Sequence, residues 1–302
     1  MCYNPGTGNV LVVDRGAVNT VYKLNATTGA ELGTLDVSSV SGGTHVVSKI
    51  DATSDGVIYM CNLAVAAADF KIYRYANESA VPTTAYTEVA AAARLGDEIA
   101  VTGTGTGTKI LVTAFQRTAL AKFTTTNGTD FTKIEVTPGN PDFAFGGAAG
   151  FTNVAWDPNS TDYWATKTTD PATDSTIYKY TGSTDQSTGA ATVTRLAADS
   201  PGGSGPFDIK QVGSETIIAL GPGNNNIDGA INVYCTFYNA SGTALGYRTG
   251  SIEYAGGMKN NQNGTGDVSI NATGRKVYVL LTNNSISGWN LPGSGVQDWN
   301  LF

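Results

Sequence analysis

The run "KIDATSDGVIYMCNL", Lys49 to Leu63, alternates apolar and polar positions, breaks at a cluster of small polar residues, and resumes as a second apolar strand. Period-two alternation on both sides of a Gly-containing turn predicts a β-hairpin. The same form returns in "CYNPGTGNVLVV" from Cys2, "AWDPNSTDYWAT" from Ala155 and "SINATGRKVYVLL" from Ser269. Asn4, Asp51, Asp157 and Asn271 occupy equivalent positions before the turn in these motifs. There a short polar side chain can bond back to the backbone, so a turn role is expected for all four.

A second element follows each hairpin. "TVYKLNATTGAELGTL" from Thr20, "FKIYRYANES" from Phe70, "ALAKFTTTNGTDFTKI" from Ala119, "TIYKYTGST" from Thr176, "INVYCTFYNASGTALG" from Ile231 and "SISGWNLPG" from Ser285 each carry an alternating strand, and most end in an Asn- or Gly-containing turn. Two degenerate copies of the hairpin, "GDEIAVTGTGTGTKILVTAF" from Gly96 and "KQVGSETIIALG" from Lys210, complete the series. The chain therefore reads as one domain, 1–302, of six units near 1–40, 41–92, 93–140, 141–200, 201–256 and 257–302. Units of this length with four short strands predict an all-β fold, a six-bladed β-propeller of four-stranded antiparallel blades. A parallel β-helix is the alternative architecture, although its repeats are usually shorter and more regular. The segment "AYTEVAAAARLGDEIA" is the nearest approach to an amphipathic helix, and its Thr, Val and Gly favour a strand and loop. "GVQDWNLF" is expected to supply the outer strand of the sixth blade.

Composition narrows the class further. Only 14% of residues are charged, and Gly accounts for 37 of 302, so hydroxyls and amides must make much of the solvated surface. The formal charge is −7 with no basic stripe, which argues against nucleic acid as a partner and against anionic membranes. No apolar stretch is long enough to span a bilayer, so membrane insertion is not expected. The first residues lack a secretory-signal pattern; the chain is read either as cytosolic or as a mature or trimmed form. Low charge with abundant Thr, Gly and Asn favours an extracellular or cell-surface address. Cys2, Cys61 and Cys235 sit in apolar alternating runs and are expected to be small buried hydrophobes.

The motifs "YNPGTGNVLVVDR", "NATTGAELGTLDVSSVSGG", "DGVIYMCNL" and "FKIYRYANES" resemble a group of secreted bacterial propeller proteins known only as domains of unknown function. The resemblance covers mainly residues 1 to 140. It implies the propeller fold and an extracellular location, and it supplies no catalytic residues.

Candidate chemistry is sparse. His45 is the only histidine, so a His-based metal site or a Ser-His-Asp triad could rest on no other residue, and no G-x-S-x-G elbow accompanies it. "GTGTGTKI" lacks the Walker context, because Lys109 opens an apolar strand. The Asp-containing turns lack the alternating ligands of a calcium loop. No catalytic residue, metal site or cofactor is expected, and calcium is the one ion left open. The loops that should share the ligand-binding face carry Asp14, Arg15, Asn19, His45, Arg94, Arg117, Lys167, Asp174, Asn224, Asn225, Asn226 and Asp228. Phe143, Phe145 and Phe151 lie in an unusually apolar connection and are read as an interaction patch or a channel plug. Trp156 and Trp164 fall on alternating strand positions and are assigned to the core. The functional expectation is a non-enzymatic extracellular scaffold contacting a protein or glycan, or a second copy of itself. The alternatives are a metal-dependent hydrolase of the six-bladed lactonase kind and a carbohydrate-binding propeller.

Overall fold

Short alternating segments punctuated by Gly, Asn and Thr can satisfy their backbone groups only by pairing with neighbours, and consecutive segments pair throughout. The computed structural model describes residues 1–16, 18–65, 67–114, 119–136, 153–166, 176–182, 186–194, 205–221, 234–249, 266–282 and 285–292. Among them six antiparallel meanders are found, five of four strands and one of three, with a single 3-10 turn at Gly105–Gly107 as the sole helical element. This is the all-β, six-bladed β-propeller class expected from the repeats.

Two compact units divide the chain, Met1–Thr137 and Pro138–Phe302. The first unit holds β1 (Cys2–Asn4), β2 (Asn9–Asp14), β3 (Thr20–Asn25) and β4 (Glu31–Thr34); then β5 (His45–Ala52), β6 (Ile58–Leu63), β7 (Phe70–Tyr75) and β8 (Thr83–Glu88); then β9 (Glu98–Thr102), β10 (Lys109–Thr113), β11 (Leu120–Thr125) and β12 (Phe131–Val136). The second holds β13 (Val154–Trp156), β14 (Tyr163–Thr166), β15 (Thr176–Thr181) and β16 (Gln186–Thr194); then β17 (Phe207–Val212), β18 (Glu215–Leu220), β19 (Thr236–Asn239) and β20 (Ala244–Arg248); then β21 (Gly266–Asn271), β22 (Lys276–Leu281) and β23 (Ser285–Asn290). The segment expected to add a fourth strand to the last blade lies outside the described residues.

Strand β6 shows how a blade is held. All six of its residues are buried, yet its alternation is intact. Ile58 and Met60 join a core with Leu11 and Val21 of the first blade, while Tyr59 and Cys61 join a second core with Ile99, Ile110 and Phe123 of the third. A strand with neighbours on both faces buries both parities. In the second unit β18 does the same, sending Ile218 and Leu220 to the core with Trp164 and Ile177, and Ile217 and Ala219 to the core with Val268 and Val279. The fourth strands, such as β20, keep an alternating exposed face. Cys2, Cys61 and Cys235 are buried and form no disulfide, and Trp156 and Trp164 are core residues, as their strand positions imply.

The first two blades are knitted together by one carboxylate. Glu78, buried in the β7–β8 turn, accepts hydrogen bonds from Asn4 Nδ2 (2.9 Å), Asn9 Nδ2 (2.8 Å) and the Thr7 hydroxyl. Nearby, Gly56 adopts φ +87°, and a Cβ there would lie 2.8 Å from the Gly6 Cα, so this approach of two turns requires glycine.

The turn role expected of four residues holds for three. Asn4 accepts the Gly6 amide (3.0 Å), Asp157 the Asn159 amide (2.9 Å) and Asn271 the Gly274 amide (2.7 Å). Asp51 does not. It sits inside β5, and Thr53 begins the turn instead, its amide donating to Val57 O and its hydroxyl lying against Asp55. The second blade therefore carries its turn two residues later than the alignment of motifs implied, which frees the Asp51 carboxylate for another contact.

Candidate functional site

Along the boundary between the second and third blades, β5 and β9 run side by side, and their starts, with the loop that follows β2, carry three of the charged residues expected on the binding face. β2 ends at Asp14, whose Oδ1 accepts the Gly16 amide at 2.7 Å and turns the chain. The exposed Asp14 carboxylate thus has one oxygen committed to an Asx turn. Arg15, held in that turn and half-buried, reaches across to β5, with Nη1 3.5 Å from Ser48 Oγ. The Ser48 hydroxyl donates to the Gly96 carbonyl at 2.7 Å. Gly96 takes φ +102°, and a Cβ would fall 2.1 Å from the Asn62 carbonyl oxygen, so any side chain here would push the loop off the second blade.

Beside Gly96, Arg94 forks onto Asp97 through Nε–Oδ2 (2.7 Å) and Nη2–Oδ1 (2.6 Å). Both the Gly96 and the Asp97 amides donate to the Thr113 carbonyl, which fixes the loop onto β10. His45 opens β5, and a register shift separates it from Lys49. Its imidazole is exposed and makes no hydrogen bond among the described residues. Partial burial, then Arg15, then Arg94 push its pKa below the ordinary histidine value, and Asp97 pulls the other way. The four side chains therefore share one electrostatic neighbourhood.

Further along β5 the boundary becomes dry. Lys49 Nζ meets Glu98 Oε2 at 2.7 Å with both side chains about nine-tenths buried, and Asp51 Oδ2 accepts the Val101 amide at 2.6 Å. Exposed Val18, Val65 and Val89 stand in the loops at the end where β5 and β9 begin. The face is mixed, cationic and apolar, above a rigid polar seam.

Of the residues expected on this face, Arg15, His45 and Arg94 come together and Asp14 stands beside them as a turn former. Arg117, Lys167, Asp174, Asn224, Asn225, Asn226 and Asp228 lie outside the described residues, as do Phe143, Phe145 and Phe151. Ser48 and Asp97 escaped the sequence reading, since a buried serine within a strand and an acid three residues after an arginine carry no motif. Ser48 is bonded to Gly96 rather than to His45, so no Ser–His pair forms among the described residues. Among those residues no three His, Cys, Asp or Glu side chains gather as a metal site requires.

No family model matches the chain, and no curated protein matches it either. Solved structures do. A DUF4623 family protein of Bacteroides eggerthii is 15% identical with a TM-score of 0.62, the match covering 92% of this chain and 66% of that one, so the chain spans just under two thirds of that protein. A candidate 6-phosphogluconolactonase of Bacteroides fragilis is 15% identical with a TM-score of 0.56, covering 96% and 79%. Hydrazine synthase of Kuenenia stuttgartiensis is 12% identical with a TM-score of 0.53, covering 96% and 75%. Identities this low carry the fold alone, and the names attached to these neighbours differ in chemistry, so function must be argued from the site.

Proposed function

We propose that the protein is a non-enzymatic extracellular binding propeller that uses the loop face around Arg15, His45 and Arg94 to hold a glycan or protein partner at the cell surface or in the matrix. The observation that carries this reading is the relay from Arg15 to Ser48 to Gly96, which ties segments of three successive blades, carrying Arg15, His45 and Arg94, to one another in a chain of net charge −7. Charged residues on loops over a stapled scaffold are positioned for recognition. The exposed Val18, Val65 and Val89 add apolar contact area of the kind partner surfaces use. The low charged fraction of the whole chain supports the extracellular address.

Binding of the purified protein to a panel of bacterial surface polysaccharides and envelope proteins tests the proposal. Specific capture that weakens at least tenfold in the double variant R15Q/R94Q is expected. A blank panel with the wild-type protein would overturn it. The hydrolase alternative draws on the neighbours described as candidate 6-phosphogluconolactonases. Turnover of a phosphorylated sugar lactone, with and without added calcium, would move the assignment to that reading.

A further inference from the structure

Arg15 is the least explained charge on this face. The residue is half-buried, and among the described residues it forms no ion pair; its one hydrogen-bond partner there is the Ser48 hydroxyl at 3.5 Å, the outer limit of such a bond. That hydroxyl already donates to Gly96 O, so it offers Arg15 only a lone pair. The neighbouring Arg94 is matched by Asp97, which is 5% exposed and bonded through both oxygens. Beyond that matched pair, the face carries the Arg15 guanidinium, the His45 imidazole and the exposed Asp14 carboxylate, which holds the Gly16 amide and forms no ion pair with Arg15. A partly desolvated cation without a counter-ion is unfavourable, and a planar fork of donors is shaped for an oxyanion.

We infer that Arg15, flanked by His45 and Arg94, forms an oxyanion site that takes the carboxylate or the phosphoryl or sulfuryl group of an acidic ligand. The inference rests on the reading of this loop face as the binding face and names the chemistry it selects. Arg15 supplies parallel N–H donors to two oxygens of the group. His45, when protonated, donates to a third position, and Arg94 adds field while staying tied to Asp97. An anion arriving here relieves the repulsion that now disfavours the His45 cation. Ligand binding is therefore coupled to proton uptake at His45.

A single histidine makes the experiment direct, because its imidazole signals in an NMR titration need no assignment. The midpoint of His45 is followed in the wild-type protein with sodium sulfate, with sodium galacturonate, and with sodium chloride at matched ionic strength. Sulfate and galacturonate do not titrate near neutrality themselves. A rise of about one unit over the chloride control is expected with one or both. Sulfate alone would assign a tetrahedral ester group, galacturonate alone a carboxylate. R15Q should raise the midpoint without any ligand, by removing one repulsive charge, and should abolish the response; R15K should keep part of it. Unchanged thermal unfolding of R15Q shows that the loss is not one of folding. The inference is overturned if neither anion exceeds chloride, or if R15Q responds like the wild type. Panel binding that survives R15Q beside a silent His45 removes the oxyanion site and leaves the binding propeller; a blank panel beside a responsive His45 does the reverse.

Discussion

Asp51 accepts the backbone amide of Val101, 50 residues away on the next blade, at 2.6 Å through Oδ2, while its Oδ1 takes the amide of Ala52 at 2.8 Å. The second unit repeats the device. Asp208 takes Ile209 N through Oδ1 (2.8 Å) and Ile270 N through Oδ2 (2.8 Å). The first strand of each blade is an edge whose outward amides lack a strand partner, and an unpaired edge invites mispairing. One carboxylate caps an amide on its own strand and one on the next, so it stitches two blades and closes two edges. Glu98 and Asp267 cap their own following amides at 3.1 and 3.0 Å, extending the pattern.

Removing such a stitch leaves two amides without their acceptor. Asp51→Ala and Asp208→Ala are each expected to lower stability by about 2–4 kcal/mol, since each lost charge-assisted bond is worth roughly 1.5–3 kcal/mol and water recovers part of it. Asp14→Ala, at an exposed turn, should cost under about 1 kcal/mol. Urea midpoints for the three variants check the ranking, and equal losses at Asp51 and Asp14 would contradict the stitch.

The Lys49–Glu98 pair tests whether burial or charge dominates the seam. Lys49→Met strands a buried carboxylate and should cost about 3–5 kcal/mol, whereas the double variant K49M/E98L should recover most of that loss. A double-mutant cycle by chemical denaturation measures the coupling. Additive losses would show that the two charges do not depend on each other.

Acid should weaken the second unit through Asp157. Burial works against its charge, but hydrogen bonds from Lys179, the Asn159 amide and the Trp164 indole outweigh burial and hold its carboxyl below the ordinary value of 3.8. A folded-state value below the unfolded one means that its stabilisation is complete above the unfolded value and fades as pH falls through the folded one. Asp157→Asn should therefore be less stable than wild type at pH 6 and converge with it near pH 2. Denaturation midpoints at the two pH values decide this, and a gap that persists in acid would assign the loss to packing.

The three thiols should be silent in the native protein. All are buried, and burial, reinforced by the Glu98 charge, pushes the Cys61 thiol up to about 12. Reactive thiolate at pH 8 is then about one part in ten thousand at Cys61. Alkylation by iodoacetamide is expected only at the rate of unfolding and should accelerate in urea in step with loss of structure. Fast modification without denaturant would contradict the burial.

What the sequence by itself determined is what alternation and turn chemistry report, both of which are local. Six hairpins and six third strands were legible because each strand keeps period two even where both faces are buried, as in β6. Lys109 opening a strand, the loop after Glu88 and the burial of Cys61 and Trp164 followed from the same pattern. The tertiary structure alone decided which loops meet. Arg15, His45 and Arg94 belong to three different repeats, and nothing within a repeat encodes how the next one stacks on it. The same reason moved Asp51 from a turn to a stitch: its partner amide at Val101 exists only once β9 lies beside β5, and a carboxylate serves whichever donor the stacking leaves unpaired.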